Sequence, residues 1–325
     1  MLFSYSYTAP VVDPQQEEYE YAELTAVERR EIVNDQFGLH ADDMARRNGR
    51  EISHDEINDF HRSLGNIPLD RRTGYELATV HCPDLLETET SPRLFLIRED
   101  FDPDKAARRL VEYWNMRVEI FGTERAFLPM TFAGALHDDA EVYRLMVLFP
   151  DFRTFLPNDD SGRTVVYCKP DYGKDDFTGC SRTAMMKYVW YNLHLALKRE
   201  STILRGLVFI LNMMNNQQLS LKSFDRLKNK MIVKATVNCF PVHIRAVHYC
   251  TRPQALHLRM ILPVLKFFMN QELRQRLVVH AQHTNELREE LVGYNIRLEV
   301  LPTCLGGRFQ LNPYWAEEQR ELEQR

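Results

Sequence analysis

The spacing of apolar residues divides the 325-residue chain into segments of different character. Residues 1–50 have few apolar positions and many Glu, Gln and Tyr residues, which predicts an acidic, partly disordered N-terminal tail. In residues 51–125 apolar positions recur with the period of amphipathic helices. In residues 126–310 short apolar runs alternate with amphipathic stretches, and residues 311–325 are a charged C-terminal tail. We therefore predict a helical region and then an α/β domain, flanked by two tails.

The clearest helix of the N-terminal region follows Asp102 and ends at Gly122. Asp102 is a favourable N-cap, because its carboxylate can accept from unpaired backbone N–H groups, and Pro103 suits the first helical position. The residues that share its apolar face are Ala107, Leu110, Val111, Trp114 and Val118. This stripe predicts a helix that packs on a neighbouring element.

The second half of the chain reads as strands that alternate with helices. The predicted strands are Thr164–Cys168, Leu207–Leu211, Ile244–Tyr249 and Leu277–His280, and the predicted helices are Ser181–Arg199, Leu219–Cys239 and Thr284–Val292. A helix between successive strands implies right-handed crossovers and a mainly parallel sheet.

The most unusual segment runs from Ala255 to Met269 and is apolar on nearly every side of its predicted helix. Pro263 lies in its middle and predicts a kink. A helix of this kind needs cover on both sides, or it meets a membrane with one of them. The pattern alone leaves two alternatives open, a buried core helix and a removable hydrophobic lid.

Charge and composition exclude several classes of protein. A net charge of −5 argues against general nucleic-acid binding. The longest apolar runs are far shorter than the roughly 20 residues that span a bilayer, and the first ten residues lack the pattern of a secretory signal. The six cysteines form no CxxC pair, so we expect reduced thiols and a cytoplasmic protein.

We find no sequence signature of catalysis. The chain lacks GxSxG, GxGxxG, GxxxxGK[ST] and HExxH motifs, and we expect neither an enzyme nor a cofactor. His280 and His283 have a spacing that metal ligands can have, but no carboxylate or cysteine converges on them in the sequence. We therefore predict no metal site.

Five stretches, in this order, are similar to the motifs of the CRAL-TRIO lipid-binding family. They are Leu94–Leu110, Ser161–Tyr167, Phe240–His248, Val264–Met269 and Leu301–Gly307. The resemblance covers residues 92–309. It implies a helical bundle followed by a mainly parallel sheet, with helices that form a lipid pocket under a mobile lid helix.

The resemblance also implies which residues contact the ligand. The lid should run from about Thr251 to Arg276 and swing out at a membrane surface. The residues expected to line the pocket are Phe209, Leu211, Val247, Leu256, Met260, Leu262, Val264, Leu265, Phe268 and Met269. Those expected to dock on the membrane are Phe267, Phe268 and Met269.

In one member of the family, basic residues of the lid and the flanking strand hold phosphoinositide headgroups. Here Arg245 and Arg276 stand at such positions, His243 stands where a lysine would be, and Glu272 replaces another lysine. The family's acidic residue at the end of one strand is here Asn212. The alternative for the two arginines is surface pairing with nearby acids.

The sequence leaves two functional hypotheses. The first is a monomeric protein, peripheral at membranes, that binds a hydrophobic lipid and transfers it. The second is a lipid-sensing adaptor that signals through its acidic N-terminal tail or through residues 315–325. Both have a lipid and a membrane surface as partners, with phosphoinositides as candidate ligands and no nucleic acid.

Overall fold

A computed structural model describes residues 12, 14–148, 154–169, 181–214, 226–255 and 262–311. Within them, the N-terminal part is helical and the C-terminal part contains a sheet. The helices before the sheet are α1 (Pro14–Ala22), α2 (Ala26–Phe37), α3 (Ala41–Gly49), α4 (His54–Asn66), α5 (Thr73–His81), α6 (Pro83–Thr88), α7 (Pro92–Arg98), α8 (Pro103–Arg125) and α9 (Ala140–Leu148). None of the helices in the described ranges is long and apolar enough to cross a bilayer.

The sheet has five strands in the order β1-β2-β3-β4-β5. The strands are β1 (Thr154–Leu156), β2 (Thr164–Cys168), β3 (Leu207–Asn212), β4 (Ile244–Thr251) and β5 (Leu277–Ala281). Strands β2 to β5 are parallel neighbours, and β1 pairs with β2 in the antiparallel sense. The predicted class, a helical bundle followed by a mainly parallel α/β sheet, is confirmed. The sequence did not indicate β1, because a three-residue strand leaves almost no alternation to detect.

Helices lie between the strands and after the last one, as the pattern predicts. They are α10 (Arg182–Leu197), α11 (Glu200–Arg205), α12 (Arg226–Val233), α13 (Leu262–Phe268), α14 (Gln271–Gln275) and α15 (Thr284–Gly293). Helix α12 continues into a π-helical turn over Lys234–Cys239. Residues 215–225, at the start of the predicted Leu219–Cys239 helix, lie outside the described residues.

The two faces of the sheet belong to different apolar clusters because side chains alternate along each strand. On the inner face, Val166, Phe209 and Val247 join the main core, which also contains much of α10. On the outer face, Val165 and Val208 pack in a second cluster with residues of α15 and the segment after it. Only the inner face therefore lies on the same side as the lid.

The N-terminal helical region shares its core with the α/β domain. The side chain of Asp102 accepts from the backbone N–H of Lys105 at 3.0 Å and caps α8, as the sequence predicts. At Gly122 the φ angle is +72°, so the regular helix is interrupted at the predicted stop. On the buried side of α8, the Tyr113 ring lies 4.9 Å from Trp190 of α10 and 5.3 Å from Phe240, measured between centroids. These aromatic contacts join the two regions into one core.

Residues 26–49 lie within the N-terminal tail that the sequence predicts to be partly disordered, and they form helices α2 and α3. Thr25 and Glu28 form a reciprocal capping box at the start of α2. Helix α2 then packs on β4, and α3 packs on α11. The low apolar density of the sequence does not reveal these packed helices, because they are held largely by polar and charged contacts and not by an apolar stripe.

Arg163 fastens α2 to the start of β2. Its guanidinium donates to the Asp159 carboxylate at 2.6 Å and to the Tyr294 carbonyl at 3.2 Å. It also donates to the backbone carbonyl of Asp35, at the end of α2. The side chains of Arg163 and Asp159 are both fully buried. A buried pair of this kind is costly to break, because the charge left behind has no partner.

We expect the Arg163→Met variant to lose about 3–5 kcal/mol of unfolding free energy, since it strands the Asp159 carboxylate and frees the backbone carbonyls of Asp35, Gln36 and Tyr294. The matched control is Arg297→Met, which breaks the exposed pair with Asp160 next door and should cost at most about 1 kcal/mol. Urea denaturation of both variants measures the difference. Equal losses would contradict the structural role of Arg163.

Candidate functional site

The inner face of the sheet carries the predicted pocket floor. Phe209 lies opposite Val247 in the register of β3 and β4, and Leu211 is two positions further along β3. Because positions two apart share a face, these three side chains lie on one apolar surface. A cavity of about 10 Å³ lies between this face and α10 and is bordered by Phe209 and Asn192, among others. Such a volume holds about one water molecule, so a lipid could enter here only if side chains moved.

The described part of the lid packs at the end of this floor that Leu211 forms. Leu262 and Val264 of α13 are buried in a small cluster, and Leu265 and Phe268 pack against it. The cluster also contains Met213, Tyr249 and Val279, none of which the sequence singled out. Leu256 and Met260 lie outside the described residues. Thr251, predicted as the first lid residue, instead ends strand β4.

The three predicted docking residues differ in exposure. Phe267 is 45% exposed, and Phe268 is partly buried beside it with 5.6 Å between ring centroids. Met269 is only 6% exposed and belongs to the main core. In this closed arrangement Phe267 faces solvent, whereas Met269 is covered and could meet a membrane only after the lid had moved.

The two predicted headgroup arginines converge on a single carboxylate. Arg276 donates to Oδ2 of Asp35 through Nε at 2.9 Å and Nη2 at 2.7 Å. Arg245 donates to Oδ1 of the same residue at 3.0 Å. Asp35 and Arg245 are 5% and 7% exposed as side chains, so this is a buried cluster rather than the surface pairing that the sequence left open. An acid from α2 thus pairs with both arginines that the resemblance assigns to a headgroup.

Two basic side chains of the lid are paired in the same manner with α1. Lys266 contacts both carboxylate oxygens of Glu17, at 2.8 and 2.7 Å. Arg274 forms a two-pronged pair with Glu20, at 3.1 and 2.5 Å. Together with Arg276 these residues form what we call the basic rim, namely Lys266, Arg274 and Arg276. Every member of the basic rim is neutralised by an acid of residues 14–37.

His243 lies next to this cluster and is buried. Its Nε2 is 3.2 Å from the backbone carbonyl of Ile97, to which it donates in the matching tautomer. Burial holds the pKa of His243 well below its ordinary value, and the charges of Arg245 and Arg98 lower it further. A neutral, covered imidazole cannot supply the positive charge that a lysine would bring.

Residues 152–307 match the family model for the CRAL/TRIO domain. We call this segment the CRAL/TRIO domain of the chain, after the model that it matches. The alpha-tocopherol transfer protein-like proteins of Homo sapiens and Mus musculus are each 25% identical to the chain over 217 residues, which is 66% of this chain. The chain spans 56% of the length of these relatives. The crystal structure of Sfh5 gives a TM-score of 0.49 at 11% identity, over 84% of this chain and 98% of that chain.

At two positions the chain departs from the motifs of the family that it resembles, and the structure shows the partners of both residues. Glu272, which replaces a basic residue, pairs with Arg98 at 3.2 Å. Burial raises the pKa of Glu272, but the charges of Arg98 and Arg276 outweigh it and lower the pKa overall. Asn212 donates to the Tyr167 hydroxyl at 2.7 Å and accepts from the N–H of Met214 at 3.0 Å. A neutral amide therefore satisfies the end of β3 without a carboxylate.

His280 of the CRAL/TRIO domain does not pair with His283. Its Nε2 lies 2.9 Å from Nδ1 of His248, and its Nδ1 lies 3.1 Å from Glu290. Within the described parts of the chain, no group of three or more His, Cys, Asp or Glu side chains is arranged to hold a metal ion.

The residues that sequence reasoning missed are the acids Asp35, Glu17 and Glu20. They precede the CRAL/TRIO domain and contact basic residues that follow them by 210 to 254 positions. No local pattern signals such a contact. The available signal was the excess of acids in residues 14–37, which composition alone assigns equally well to a solvated tail.

The buried histidine predicts how stability depends on pH. The folded-state pKa of His243 is below the ordinary value of 6.5, so below that pH the unfolded chain binds a proton that the folded chain does not. The unfolding free energy should therefore fall as the pH drops below about 6.5, by up to about 1.4 kcal/mol per pH unit for this residue. We expect His243→Gln to flatten this slope and His61→Gln, at an exposed position of α4, to leave it unchanged. Urea titrations at pH 7.5 and 5.5 measure the pH dependence of the unfolding free energy. An unaltered slope in His243→Gln would contradict the lowered pKa of His243.

Proposed function

We propose that this protein binds a hydrophobic lipid in its CRAL/TRIO domain and transfers it between membranes. The observation that carries the proposal is an apolar sheet face covered by a lid helix whose inner side is apolar and whose outer side exposes Phe267. The relatives named as tocopherol transfer protein-like support transfer as the activity. A mainly apolar site with few polar contacts accepts several lipid classes, including phospholipids, tocopherols, retinoids and sterols.

Apolar insertion should contribute more to membrane docking than charge. Burying a Phe side chain contributes roughly 1.5–3 kcal/mol, whereas a basic residue near an anionic leaflet contributes about 1 kcal/mol. In the closed arrangement the basic rim is already paired with acids, so its charge is largely neutralised. Phe267 is the lid residue best placed for first contact, and Phe268 follows once the lid lifts.

Anionic headgroups, phosphoinositides among them, are the proposed second ligand. Headgroup contact with Arg276 would require this residue to exchange its partner Asp35, which Arg245 of β4 also contacts. Planar guanidinium groups bind phosphate through paired hydrogen bonds, which suits Arg274 and Arg276. Headgroup binding by His243 and Arg245 stays a prediction, and it requires Asp35 to leave the pair.

Two measurements test the transfer proposal. Mass spectrometry of lipids extracted from the protein purified from its own cells should identify a bound hydrophobic lipid. The purified protein should then accelerate movement of that lipid between donor and acceptor vesicles. A lipid that is bound but never moved would favour the sensing adaptor over a transfer protein, and the absence of any bound lipid would contradict both.

We expect Phe267→Asp to weaken binding to phospholipid vesicles by about tenfold or more, because the variant loses an inserting ring and adds a charge. The control is Val80→Asp, which places the same charge at an exposed apolar position of α5. Vesicle co-sedimentation measures both. Equal losses in the two variants would contradict docking through the lid.

A further inference from the structure

The acidic segment before the helical region lies across the lid and contacts it through ion pairs and hydrogen bonds, and Val12 at its start is buried. Besides the pairs at Glu17 and Glu20, the N–H of Val12 donates to the Pro263 carbonyl at 3.4 Å. Gln36 donates to the Gln275 carbonyl at 3.0 Å. Residues 12–36 thus contact the described part of the lid at both of its ends.

The two helices of this segment are held in different ways. Helix α2 is tied down by buried groups, namely Asp35 with its two arginines and Arg163 on its last carbonyls. Helix α1 has no buried residue of its own, and its Glu17 side chain is 32% exposed. Since α1 buries no apolar side chain, its release uncovers only Val12 before it and breaks the pairs of Glu17 and Glu20, whose side chains are 32% and 15% exposed. Release of α2 breaks an ion cluster around Asp35, which is 5% exposed. The segment therefore has a fixed half and a releasable half.

The releasable half covers basic groups that a membrane would attract. Glu17 and Glu20, which we call the acidic latch, neutralise Lys266 and Arg274. Both basic side chains belong to the lid, only a few positions from the exposed Phe267. While the acidic latch is in place, Lys266 and Arg274 are paired and cannot bind an anionic leaflet. The lid can then move only if it carries α1 along or breaks these two pairs.

We propose that the acidic latch holds the lid closed in the absence of a membrane and is displaced when anionic lipid headgroups compete for Lys266 and Arg274. The inference rests on the proposed function, because it describes the regulation of the same lid. It assigns to the N-terminal segment a gating role that is intramolecular. Opening then requires two events at the membrane surface. Anionic headgroups replace Glu17 and Glu20 as partners of Lys266 and Arg274, and the ring of Phe267 inserts into the bilayer.

The first experiment measures lid opening without any lipid. Amide hydrogen exchange of residues 262–275 is compared between the wild type and Glu17→Gln with Glu20→Gln. The matched control is Glu18→Gln with Glu31→Gln, which removes the same charge from exposed positions of α1 and α2. We expect exchange of the lid amides to rise about fivefold or more in the latch variant and to stay at the wild-type rate in the control, a factor that corresponds to about 1 kcal/mol.

A charge swap tests whether pairing itself is responsible. In Glu17→Lys with Lys266→Glu the pair is restored with opposite polarity. Exchange of the lid amides should then stay near the wild-type rate without lipid. Vesicles of phosphatidylcholine with phosphatidylserine should accelerate exchange in the wild type and do so much less in the swap, because its lid now repels anionic headgroups.

Three outcomes would overturn the proposal. The first is a latch variant that exchanges at the wild-type rate, and the second is a control that accelerates as much as the latch variant. The third is a wild type whose lid amides respond equally to phosphatidylcholine vesicles with and without phosphatidylserine, which would refute displacement by anionic headgroups. Failure of the transfer proposal would appear elsewhere, in lipid extraction and vesicle transfer, while the exchange rates without lipid would still decide whether the latch exists.

Discussion

The buried carboxylate of Asp35 is the interaction on which the closed structure most depends. Arg245 on β4 and Arg276 before β5 bring two like charges together in a place with little access to water. Without a counter-ion, two neighbouring buried guanidinium groups would cost several kcal/mol. The required anion comes from α2, more than two hundred residues earlier in the chain. The N-terminal segment is therefore part of the folded domain and not an appendage to it.

Hydrogen bonds and one aromatic stack hold the end of α2 against the α/β domain. Arg163 holds the end of α2, and Asn295 donates to the Phe37 carbonyl at 2.6 Å. The rings of Phe37 and Tyr294 stack at 4.3 Å between centroids. These contacts set where α1 must lie, and so place Glu17 and Glu20 over the lid. The gating that we propose thus follows from how α2 is anchored, since α1 can leave while α2 stays.

The lid helix itself combines the two alternatives that its sequence left open. Leu262 and Val264 are buried against the sheet like core residues, while Phe267 faces solvent. An element with this division can be packed in one state and inserted in another, because the same apolar side chains satisfy either surroundings. The charges around it then decide which state is favoured. In the described part of the lid, the basic rim of Lys266, Arg274 and Arg276 is paired with acids of residues 14–37.

The amino-acid sequence by itself determined the class of fold and most of its elements. Strong local signals, such as Asp102 with Pro103 or the apolar run Leu207–Leu211, depend on neighbours in the chain and survive folding unchanged. The shared face of Phe209 and Val247 could be predicted from the period of the strands. What only the tertiary structure decided is where charges meet. No feature of the sequence indicates that Asp35 and Arg245 lie 3.0 Å apart, since electrostatic pairing depends on distance in space and carries no periodicity along the chain.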